Sequence, residues 1–548
     1  MVHHKFRTDI KKMKTRARYL LCILVAGSLI SLFNLGGRDL WDPDETRYAV
    51  VAREMRETGQ WVLPHLNGEI YAEKPPLFFW AVNLSVLFLG KDSALANRLP
   101  SALAGLVTIF LTFFLGERLF NSRVGFLSAL VLTSCLFFPQ LSRWMMLDSL
   151  FTLLFLLTLC CFYLGYEKEE GRRQYYFLAG LFMGLGVLTK GPVAYLTLPI
   201  FLIFAFLQRG LKKFWSYDLL LGFLLSLAVV LAWLIPACLV GGEEYTRRIL
   251  LKQMVGRLAG SMRHFHPEPF FFYFPRFSVE FLPWIVFLPT AFVFAFRKEE
   301  GPIRKELLFL SVWFIFVFVF FTLIKGKKDN YILPLYPATA ILLGWFWDRL
   351  ILSQTREKGV IAGLLLLTCL ILVAFVLFFV GFPEKRYPVL TPYRFLVFSI
   401  ISYLLIGLFA SLLCFISRKK MASFICLAVT FGILHLHISY SLPLKLNTIK
   451  SMRGFSEKIL RRMEAGDELK SCFFSPPGLI YYTGKPMIEE IKSDGRFFEI
   501  LRSPQRVFMV IKKRELNRIT RDSKIEVEPI EQEKVGPYDL VLISNRRQ

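Results

Sequence analysis

The sequence predicts an all-α polytopic membrane protein that carries a small α/β domain after its last span. Runs of about twenty apolar residues, the length an α-helix needs to cross a bilayer, recur along most of the chain. Of its 548 residues, 55% are hydrophobic, whereas a soluble protein of this length would show several domains of mixed polarity. The composition turns charged and alternating near residue 443. We therefore expect a membrane domain over residues 1–442 and a soluble α/β domain over residues 443–548.

Thirteen apolar segments are candidate membrane spans. They lie at about residues 19–35, 98–116, 123–139, 147–165, 175–189, 191–207, 217–240, 279–296, 306–324, 331–350, 360–382, 394–416 and 421–441. Basic residues lead directly into the first segment, which predicts an uncleaved anchor with its N-terminus inside. When the spans alternate from that start, the inner loops are mostly basic and the C-terminal domain lies outside. The shorter apolar run at 77–89 is interpreted as an interfacial or re-entrant helix on the outer side.

The net charge of +25 does not indicate a nucleic-acid partner. The lysines and arginines cluster in short loops between spans, where positive-inside topology and contact with anionic lipids of the bilayer account for them. The nine cysteines form no metal-binding or disulfide pattern. Cys472 is the one that stands outside the apolar segments, so we expect its thiol to be accessible from the outer side.

The segment Trp41–Pro76 concentrates charged side chains directly after the first span, at the outer rim of the predicted bundle. Asp44 is a candidate for positioning or deprotonating an acceptor hydroxyl, with Arg47 facing an anion. The alternative is a solvated loop in which Asp44 caps the following helix. Glu73 and Lys74 precede two prolines that set the entry of the next apolar helix, and this pair suits phosphate recognition at the membrane surface. The alternative is a snorkelling lysine beside a surface carboxylate.

Two further charged residues lie at the same outer face. Asp148 stands where an outer loop enters an otherwise apolar span, and an ionisable residue at that depth indicates function unless a partner explains it. Arg143 is the candidate for a purely structural partner. Lys190 lies on an outer hairpin whose turn is already explained by Gly191 and Pro192, so it is left as an unassigned cation.

The outer loop 241–278 is strongly basic and is expected to meet an anionic substrate. It contains Arg257, His264 and His266, whose two histidines do not by themselves form a metal site because zinc needs further donors. Tyr331 follows a second cationic outer hairpin, where a tyrosine either packs at the interface or binds phosphate. The sequence contains no phosphate-binding glycine loop, and its charged segments face outward. A lipid-linked donor is therefore favoured over a nucleotide.

A series of short motifs follows along nearly the whole chain. They read DETRYAVVAREM, YAEKPP, MLDS, TKGP, HPEPFFFYF, GKKDNYILP and VGPYDLVLIS. Their order resembles that of the membrane glycosyltransferases with the GT-C fold, and among them the bacterial lipid A aminoarabinose transferases, which are related to the protein O-mannosyltransferases. The resemblance implies about thirteen transmembrane helices with periplasmic juxtamembrane helices. It also implies transfer of 4-amino-4-deoxy-L-arabinose from undecaprenyl phosphate to lipid A, with inversion at the anomeric carbon.

Carried over motif by motif, the resemblance implies two catalytic carboxylates, Asp44 first and Asp148 second. It implies that the carrier phosphate is held by Arg47, Tyr71, Lys74, Tyr331, Lys190 and Arg257. It also implies a divalent metal, zinc or magnesium, bound by Glu73 and His266, with His264 as the alternate ligand. No nucleotide is expected. The implied location is the bacterial inner membrane, with the active site and the C-terminal domain in the periplasm and the protein acting as a monomer.

Two other functions fit parts of the pattern. The same fold and chemistry would serve another polyprenyl-phosphate-linked sugar, mannose or a uronic acid, and a protein or another glycolipid as acceptor. A transporter or flippase is the hypothesis from a different class, and it predicts paired charges deep inside discontinuous helices together with internal symmetry. The sequence instead places its charges at one face and contains no internal repeat, which disfavours transport.

Overall fold

The chain forms two compact units. The computed structural model describes residues 2–168, 170–210, 216–249, 268–296, 304–353, 358–381, 393–523 and 527–546. The helical unit comprises Met1–Phe33, Ser101–Leu234 and Ile249–Ile438, and the mixed unit comprises Asn34–Pro100, Ile235–Arg248 and Ser439–Gln548. The charged segment after the first span thus belongs to the same unit as the C-terminal residues. The expected domain boundary at residue 442 stays a prediction.

Helices account for most of the described chain. In order they are α1 Val2–Leu32, α2 Asp44–Thr58, α3 Leu77–Leu89, α4 Ala94–Leu119, α5 Ser122–Ser134, α6 Phe137–Ser142, α7 Leu147–Glu167, α8 Arg172–Lys190, α9 Thr197–Arg209, α10 Tyr217–Arg247, α11 Tyr273–Glu280, α12 Leu288–Ala295, α13 Lys305–Leu323, α14 Tyr336–Leu352, α15 Lys358–Phe379, α16 Arg394–Ile416, α17 Lys420–Lys450, α18 Arg453–Arg462, α19 Pro477–Thr483, α20 Asp494–Leu501 and α21 Lys513–Ser523. Short 3₁₀ helices lie at Pro192–Leu196, Phe270–Phe272, Trp284–Phe287 and Asp329–Leu335.

Among the described residues, eight helices are long and apolar enough to cross a membrane. A ninth is added if the bent pair Phe270–Glu280 and Trp284–Ala295 counts as one span. Each of the thirteen predicted segments contains a helix, and those beyond the eight are bent, shorter or less apolar. The predicted class, a helical multi-pass membrane protein, is confirmed. The short run predicted at 77–89 is helix α3, with the same bounds.

Close helix packing in the helical unit depends on glycine. A Cβ atom added to Gly180 of α8 would lie 1.9 Å from the carbonyl oxygen of Gly222 in α10. Backbones can approach this closely only where both helices carry small residues. The rest of the interior is dominated by large aromatic side chains, and Trp284, Trp313 and Tyr336 are fully buried.

The mixed unit is built on a five-stranded sheet that confirms the predicted C-terminal α/β fold. Its strands are β3 Glu468–Cys472, β4 Glu489–Ile491, β5 Val507–Lys512, β6 Glu531–Val535 and β7 Tyr538–Ser544, in the order β4-β3-β5-β7-β6. Strands β3, β4 and β5 are parallel, and β7 is antiparallel to β5 and β6. Earlier in the chain, β1 His65–Leu66 and β2 Glu69–Ile70 form a short hairpin.

Apolar residues alternate between the two faces of this sheet and build one core on each. Phe508 and Val510 face one core, which also includes Val50 of α2. Met509 faces the other core, together with Cys472. Cys472 is 0% exposed, so the expectation that its thiol is accessible is wrong. A cysteine on a central strand can be buried even in a charged domain, because every second position of a strand points inward.

Candidate active site

Helix α2 carries Asp44, and a buried ion pair fixes the start of this helix. Glu45 is 1% exposed, and its carboxylate accepts hydrogen bonds from the Nε and Nη2 atoms of Arg98 at 2.8 Å and 2.9 Å. Arg98 also donates to three backbone carbonyls of the segment 35–39. A buried ion pair is tolerated when it is bidentate and its remaining donors are satisfied. Glu45 therefore has a structural role, and the catalytic role of its neighbour Asp44 stays a prediction.

Asp42 links the start of α2 to the α/β sheet. Its Oδ1 atom accepts hydrogen bonds from the hydroxyl of Thr46 at 2.6 Å and from the backbone N–H of Gly478 at 2.8 Å. Burial raises the pKa of the Asp42 carboxyl, and these two hydrogen bonds oppose that rise. Further along the helix, Val50 lies in the same apolar core as Leu540 of β7. Polar and apolar contacts together hold α2 on the sheet.

A two-residue turn brings Tyr71 back to this helix. Asn67 and Gly68 have φ angles of 55° and 78° and join β1 to β2, as expected for an Asn-Gly hairpin turn. The carboxylate of Glu54 on α2 accepts both of their backbone N–H groups, at 2.6 Å and 3.1 Å. The backbone N–H of Tyr71 then donates to the carbonyl of Pro64 at 2.8 Å. Helix α2 thus positions the hairpin as well as its own side chains.

Four of the predicted site residues meet beside the first turn of α2. The Nη1 atom of Arg47 lies 3.7 Å from Oδ1 of Asp44 and 3.8 Å from Oε2 of Glu73. The hydroxyl of Tyr71 donates to the same Oε2 atom at 3.3 Å. Both Arg47 distances exceed hydrogen-bond length, so the guanidinium lies between two carboxylates and is held tightly by neither. The side chains of Asp44 and Arg47 are 31% and 28% exposed and remain accessible to a ligand.

The electrostatics of this cluster keep Tyr71 a hydrogen-bond donor. Tyr71 is buried, and burial raises the pKa of its hydroxyl; the carboxylate of Glu73 raises it further, and Arg47 opposes the rise. The phenol therefore stays protonated at neutral pH. A cation and a neutral hydroxyl donor side by side are the groups that a phosphate oxygen accepts from.

The structure decides between the alternatives for Asp44 and shows where Lys74 lies. The residue before α2 is Pro43, and Asp44 is the first helical residue, so the capping alternative is wrong. Lys74 is half-buried, two residues before the Pro76 that precedes α3, as predicted from the prolines. Asp44 and Glu45 both lie in the first turn of α2, where the positive end of the helix dipole favours carboxylate side chains.

A second cluster lies in the helical unit, around Asp148. This residue lies in the first turn of α7, and the ammonium group of Lys190, the last residue of α8, donates to its Oδ1 atom. The side-chain amide of Asn330 donates to Oδ2 at 2.8 Å. The Lys190 ammonium also lies 5.0 Å from the ring centre of Tyr331. Three predicted site residues are thus brought together, with Asn330 as a fourth member.

This pairing assigns the cation that the sequence left unassigned. Lys190 is hydrogen-bonded to Asp148, whereas Arg143 donates to the backbone carbonyls of Ile30 and Phe33 at 2.7 Å and 2.6 Å. An aspartate at a helix start and a lysine at a helix end both complement the helix dipole. The arrangement holds a cation beside the Tyr331 ring in a buried setting.

The predicted metal site depends on residues that lie outside the described part of the chain. These are His264 and His266, and Arg257, which was predicted to bind the carrier phosphate, also lies outside the described residues, so all three roles stay predictions. Within the described ranges, no group of three or more histidine, cysteine, aspartate or glutamate side chains is arranged to hold a metal ion. Glu73 accepts a hydrogen bond from the Tyr71 hydroxyl and lies 3.8 Å from Arg47, and its predicted part in a metal site stays a prediction. The described residues do not by themselves supply a zinc or magnesium site.

Two members of these clusters were not identified from the sequence. Asn330 lies in the GKKDNYILP motif directly before Tyr331, but an amide carries no charge signal. Arg98 lies inside a predicted span, where the cost of an unpaired charge already implied a buried partner. The free-energy cost of an unpaired charge in a span therefore predicts that Arg98 has a partner. It does not predict that this partner is Glu45.

Comparison with solved structures shows the class of fold. Structures of ArnT from Cupriavidus metallidurans match the chain with a TM-score of 0.79 in the apo state and 0.77 when bound to undecaprenyl phosphate. Each match covers 97% of this chain and 98% of the other, at 19% sequence identity. The chain has the GT-C fold of these membrane glycosyltransferases, as its motifs predicted.

Sequence comparisons narrow the resemblance. A family model described as dolichyl-phosphate-mannose-protein mannosyltransferase matches residues 73–235. Proteins named undecaprenyl phosphate-alpha-4-amino-4-deoxy-L-arabinose arabinosyl transferase are 31% identical over 347 residues in Enterobacter sp. (strain 638) and, for the one numbered 2, 33% identical over 351 residues in Pseudomonas fluorescens (strain Pf0-1). Each of these two matches covers 62% of this chain and 62% of the relative. An uncharacterized protein of Aquifex aeolicus is 32% identical over 62% of this chain and 66% of its own length.

The matches therefore span about three fifths of the length of the curated relatives. Over that length the resemblance to the lipid A aminoarabinose transferases is confirmed.

Proposed function

We propose that this protein is a membrane glycosyltransferase that moves 4-amino-4-deoxy-L-arabinose from undecaprenyl phosphate to a phosphate group of lipid A. The observation that carries the proposal is the cluster at the start of α2, where Arg47 lies between the carboxylates of Asp44 and Glu73 and beside the Tyr71 hydroxyl. It occurs on a fold whose relative from Cupriavidus metallidurans is bound to undecaprenyl phosphate.

The reaction breaks one carbon–oxygen bond and forms another at the anomeric carbon. The acceptor oxygen attacks from the face opposite the carrier, and the carrier phosphate leaves with the bonding electron pair, which inverts the configuration. The demand on the protein is to stabilise the negative charge that grows on that phosphate. Arg47 supplies a positive charge, and Lys74 adds a second cation from the adjacent segment. Tyr71 supplies a neutral donor when its hydroxyl turns from Glu73 to the phosphate.

Asp44 acts on the acceptor. A phosphate monoester or a hydroxyl is a better nucleophile once its proton is removed, and a carboxylate within hydrogen-bonding reach of that proton contributes as a general base. Asp44 is partly exposed and is not consumed by a short ion pair, since its nearest guanidinium atom lies 3.7 Å away. Glu45, by contrast, is fully committed to Arg98 and cannot serve.

The Asp148 cluster keeps a cation in place for an anionic group of the donor. Asp148 is the second predicted carboxylate, and it orients the ammonium group of Lys190, while Asn330 fixes the second carboxylate oxygen. The ring of Tyr331 lies next to the same ammonium group. A bound divalent metal would add further positive charge beside the carrier phosphate, and no step of the proposal depends on it.

The proposed location is the bacterial inner membrane, with the site on the periplasmic side. The basic loops between the predicted spans support this orientation, because they fall on one side and leave the Trp41–Pro76 segment on the other. A periplasmic site has no access to cytoplasmic nucleotide sugars, which agrees with a lipid-linked donor.

A second candidate is transfer of another polyprenyl-phosphate-linked sugar to protein or to a different glycolipid. The observation that favours it is the match of residues 73–235 to the model for dolichyl-phosphate-mannose-protein mannosyltransferase. Both candidates use the same leaving group and differ in the sugar and the acceptor.

The deciding experiment supplies purified full-length protein in bilayer discs with radiolabelled undecaprenyl-phosphate aminoarabinose and lipid A. The wild type is expected to transfer the label, and Asp44→Asn is expected to lower kcat by about 100-fold or more, the range for loss of a general base. Glu57→Gln is the matched control, because Glu57 is an exposed carboxylate on the same helix. Equal activity of Asp44→Asn and Glu57→Gln would refute the site. Transfer only from polyprenyl-phosphate mannose would favour the second candidate.

A further inference from the structure

The hydrophobic alternation of strand β5 ends with a lysine on the face that packs against α2. Phe508 and Val510 are 0% exposed and face the core shared with Val50 of α2. Lys512 is the next residue on that face, since side chains repeat every two positions in a strand. An apolar residue is expected there from the pattern, and a cation stands in its place.

Two aromatic rings hold this lysine. The Lys512 ammonium lies 4.7 Å from the ring centre of Phe474 and 5.5 Å from that of Tyr538, and the two ring centres are 5.9 Å apart. Within the described part of the chain, no carboxylate lies within ion-pair distance of Lys512. Among the described residues, its ammonium group contacts the two ring faces and no counter-charge, which leaves its N–H groups available to an anion.

The topology of the sheet brings these three residues together at one end of its inner strands. Phe474 follows the carboxyl end of β3, Lys512 is the last residue of the parallel strand β5, and Tyr538 is the first residue of β7. In sheets with parallel strands, ligands bind outside the carboxyl ends of the strands. A ligand of this sheet would therefore be expected at the carboxyl ends of β3 and β5, where these residues lie.

The end of the sheet that carries these residues also contacts α2 and the segment before it. Tyr538 packs against the core that contains Val50, and Asp42 is hydrogen-bonded to the backbone of Gly478 in the same unit. The pKa of the Tyr538 hydroxyl is raised by burial and then by Asp42, with Arg47 opposing and Asp44 adding to the rise, so all three side chains act on it. The phenol therefore stays a hydrogen-bond donor, on the core that also holds α2.

We propose that Lys512, Phe474 and Tyr538 form a subsite for the phosphorylated sugar of the acceptor. The rings supply faces on which a sugar packs, and the ammonium group and the phenol donate to its phosphate. This inference rests on the proposed function, because it assigns the acceptor side of the same reaction. It gives the C-terminal α/β sheet a part in substrate recognition.

The test measures binding of lipid A to the full-length protein in bilayer discs, without donor and without turnover. The ligands are bis-phosphorylated lipid A and the same lipid A after enzymatic removal of its phosphates. Loss of a charge-assisted hydrogen bond corresponds to a weakening of Kd by about tenfold or more. We expect Lys512→Gln to weaken binding of the phosphorylated lipid by that amount and to leave the dephosphorylated lipid unaffected. Lys512→Arg is expected to restore binding.

The control is Lys534→Gln, which removes the same charge from an exposed position on edge strand β6. Equal binding by the wild type and Lys512→Gln, with both folded by their thermal unfolding temperature, would overturn the subsite. The subsite would also be overturned if Lys512→Gln raised the KM for the donor and left the KM for the acceptor unchanged. That result would indicate that Lys512 binds the carrier phosphate. Lys512-dependent binding by a protein that transfers no sugar would refute the proposed function and leave the subsite standing.

Discussion

The ammonium group of Lys190 donates a hydrogen bond to the carboxylate of Asp148, and both side chains are buried. Lys190 ends one helix and Asp148 begins another, so each charge stands where the helix dipole favours it. The pair therefore stabilises the fold whether or not it takes part in chemistry. Its contribution to stability and its contribution to sugar transfer have to be separated by experiment.

Removing one partner of this pair is expected to be more damaging to stability than removing both. Asp148→Asn leaves the lysine without its counter-charge, and a broken buried pair costs about 3–5 kcal/mol. The double variant Asp148→Asn/Lys190→Met is expected to recover most of the loss. Thermal unfolding of the three proteins in one detergent measures this. Activity that stays absent in the stable double variant would show that the charges take part in transfer, and full recovery of activity would contradict that part.

Glycine at position 478 is predicted to be indispensable. A Cβ atom there would lie 2.0 Å from Oδ2 of Asp42 and 2.9 Å from Cβ of Met452, so Gly478→Ala forces the helix away from the start of α2. Overpacking of this kind costs about 1–3 kcal/mol. Gly495→Ala is the matched control, because nothing lies within 4 Å of the added atom and a helical alanine is favoured over glycine. Equal unfolding temperatures for the two variants would show that the Asp42–Gly478 contact is dispensable.

The Asp42 carboxyl is predicted to make stability depend on pH with a definite sign. Burial raises its pKa in the folded protein, so the folded state binds the proton more tightly than the unfolded chain does. The resulting stabilisation is fully present below the ordinary aspartate pKa of about 3.9 and is lost as the pH rises through the folded pKa. The unfolding temperature of the wild type minus that of Asp42→Asn should therefore fall with rising pH. A difference that grows with pH would refute the assignment.

Labelling of single cysteines is predicted to report the side of the membrane on which the α/β sheet lies. Cys472 is buried and burial raises its pKa to about 12, so the native thiol should not react with a membrane-impermeant maleimide. Lys534→Cys places a thiol at an exposed position of β6 and should react in spheroplasts. Lys419→Cys, exposed in a predicted inner loop, should react only after the membrane is opened. The reverse pattern would invert the proposed topology.

Sequence patterning predicted the features that repeat or that carry charge. Apolar runs predicted the helices and the multi-pass class, and prolines predicted the start of α3. Clustered charges predicted that Asp44, Arg47 and Glu73 lie together, as the structure shows, whereas their chemical roles stay predictions. The sequence pattern did not predict contacts between residues that are distant in the chain. Neither the bond between Asp42 and Gly478 nor the burial of Cys472 has a local signature, because each depends on how distant segments pack.

Two neighbouring acidic residues also show that local sequence does not predict which side chain a tertiary contact buries. Asp44 and Glu45 are equivalent in charge and differ by one position in the chain, yet one is partly exposed and the other fully buried against Arg98. Their different roles follow from the rotation of about 100° per residue along a helix. Glu45 is the one that turns inward, where Arg98 and Arg38 both bind its carboxylate.

Asp42 and Gly478 are separated by 436 positions in the sequence, yet they are joined by one hydrogen bond. During synthesis the segment that begins with Asp42 is made long before the strands that support α2 exist. Until β7 is inserted between β5 and β6, the helix that carries Asp44 lacks part of the core that holds it. A nascent or truncated chain would therefore hold the predicted catalytic motifs without an ordered active site.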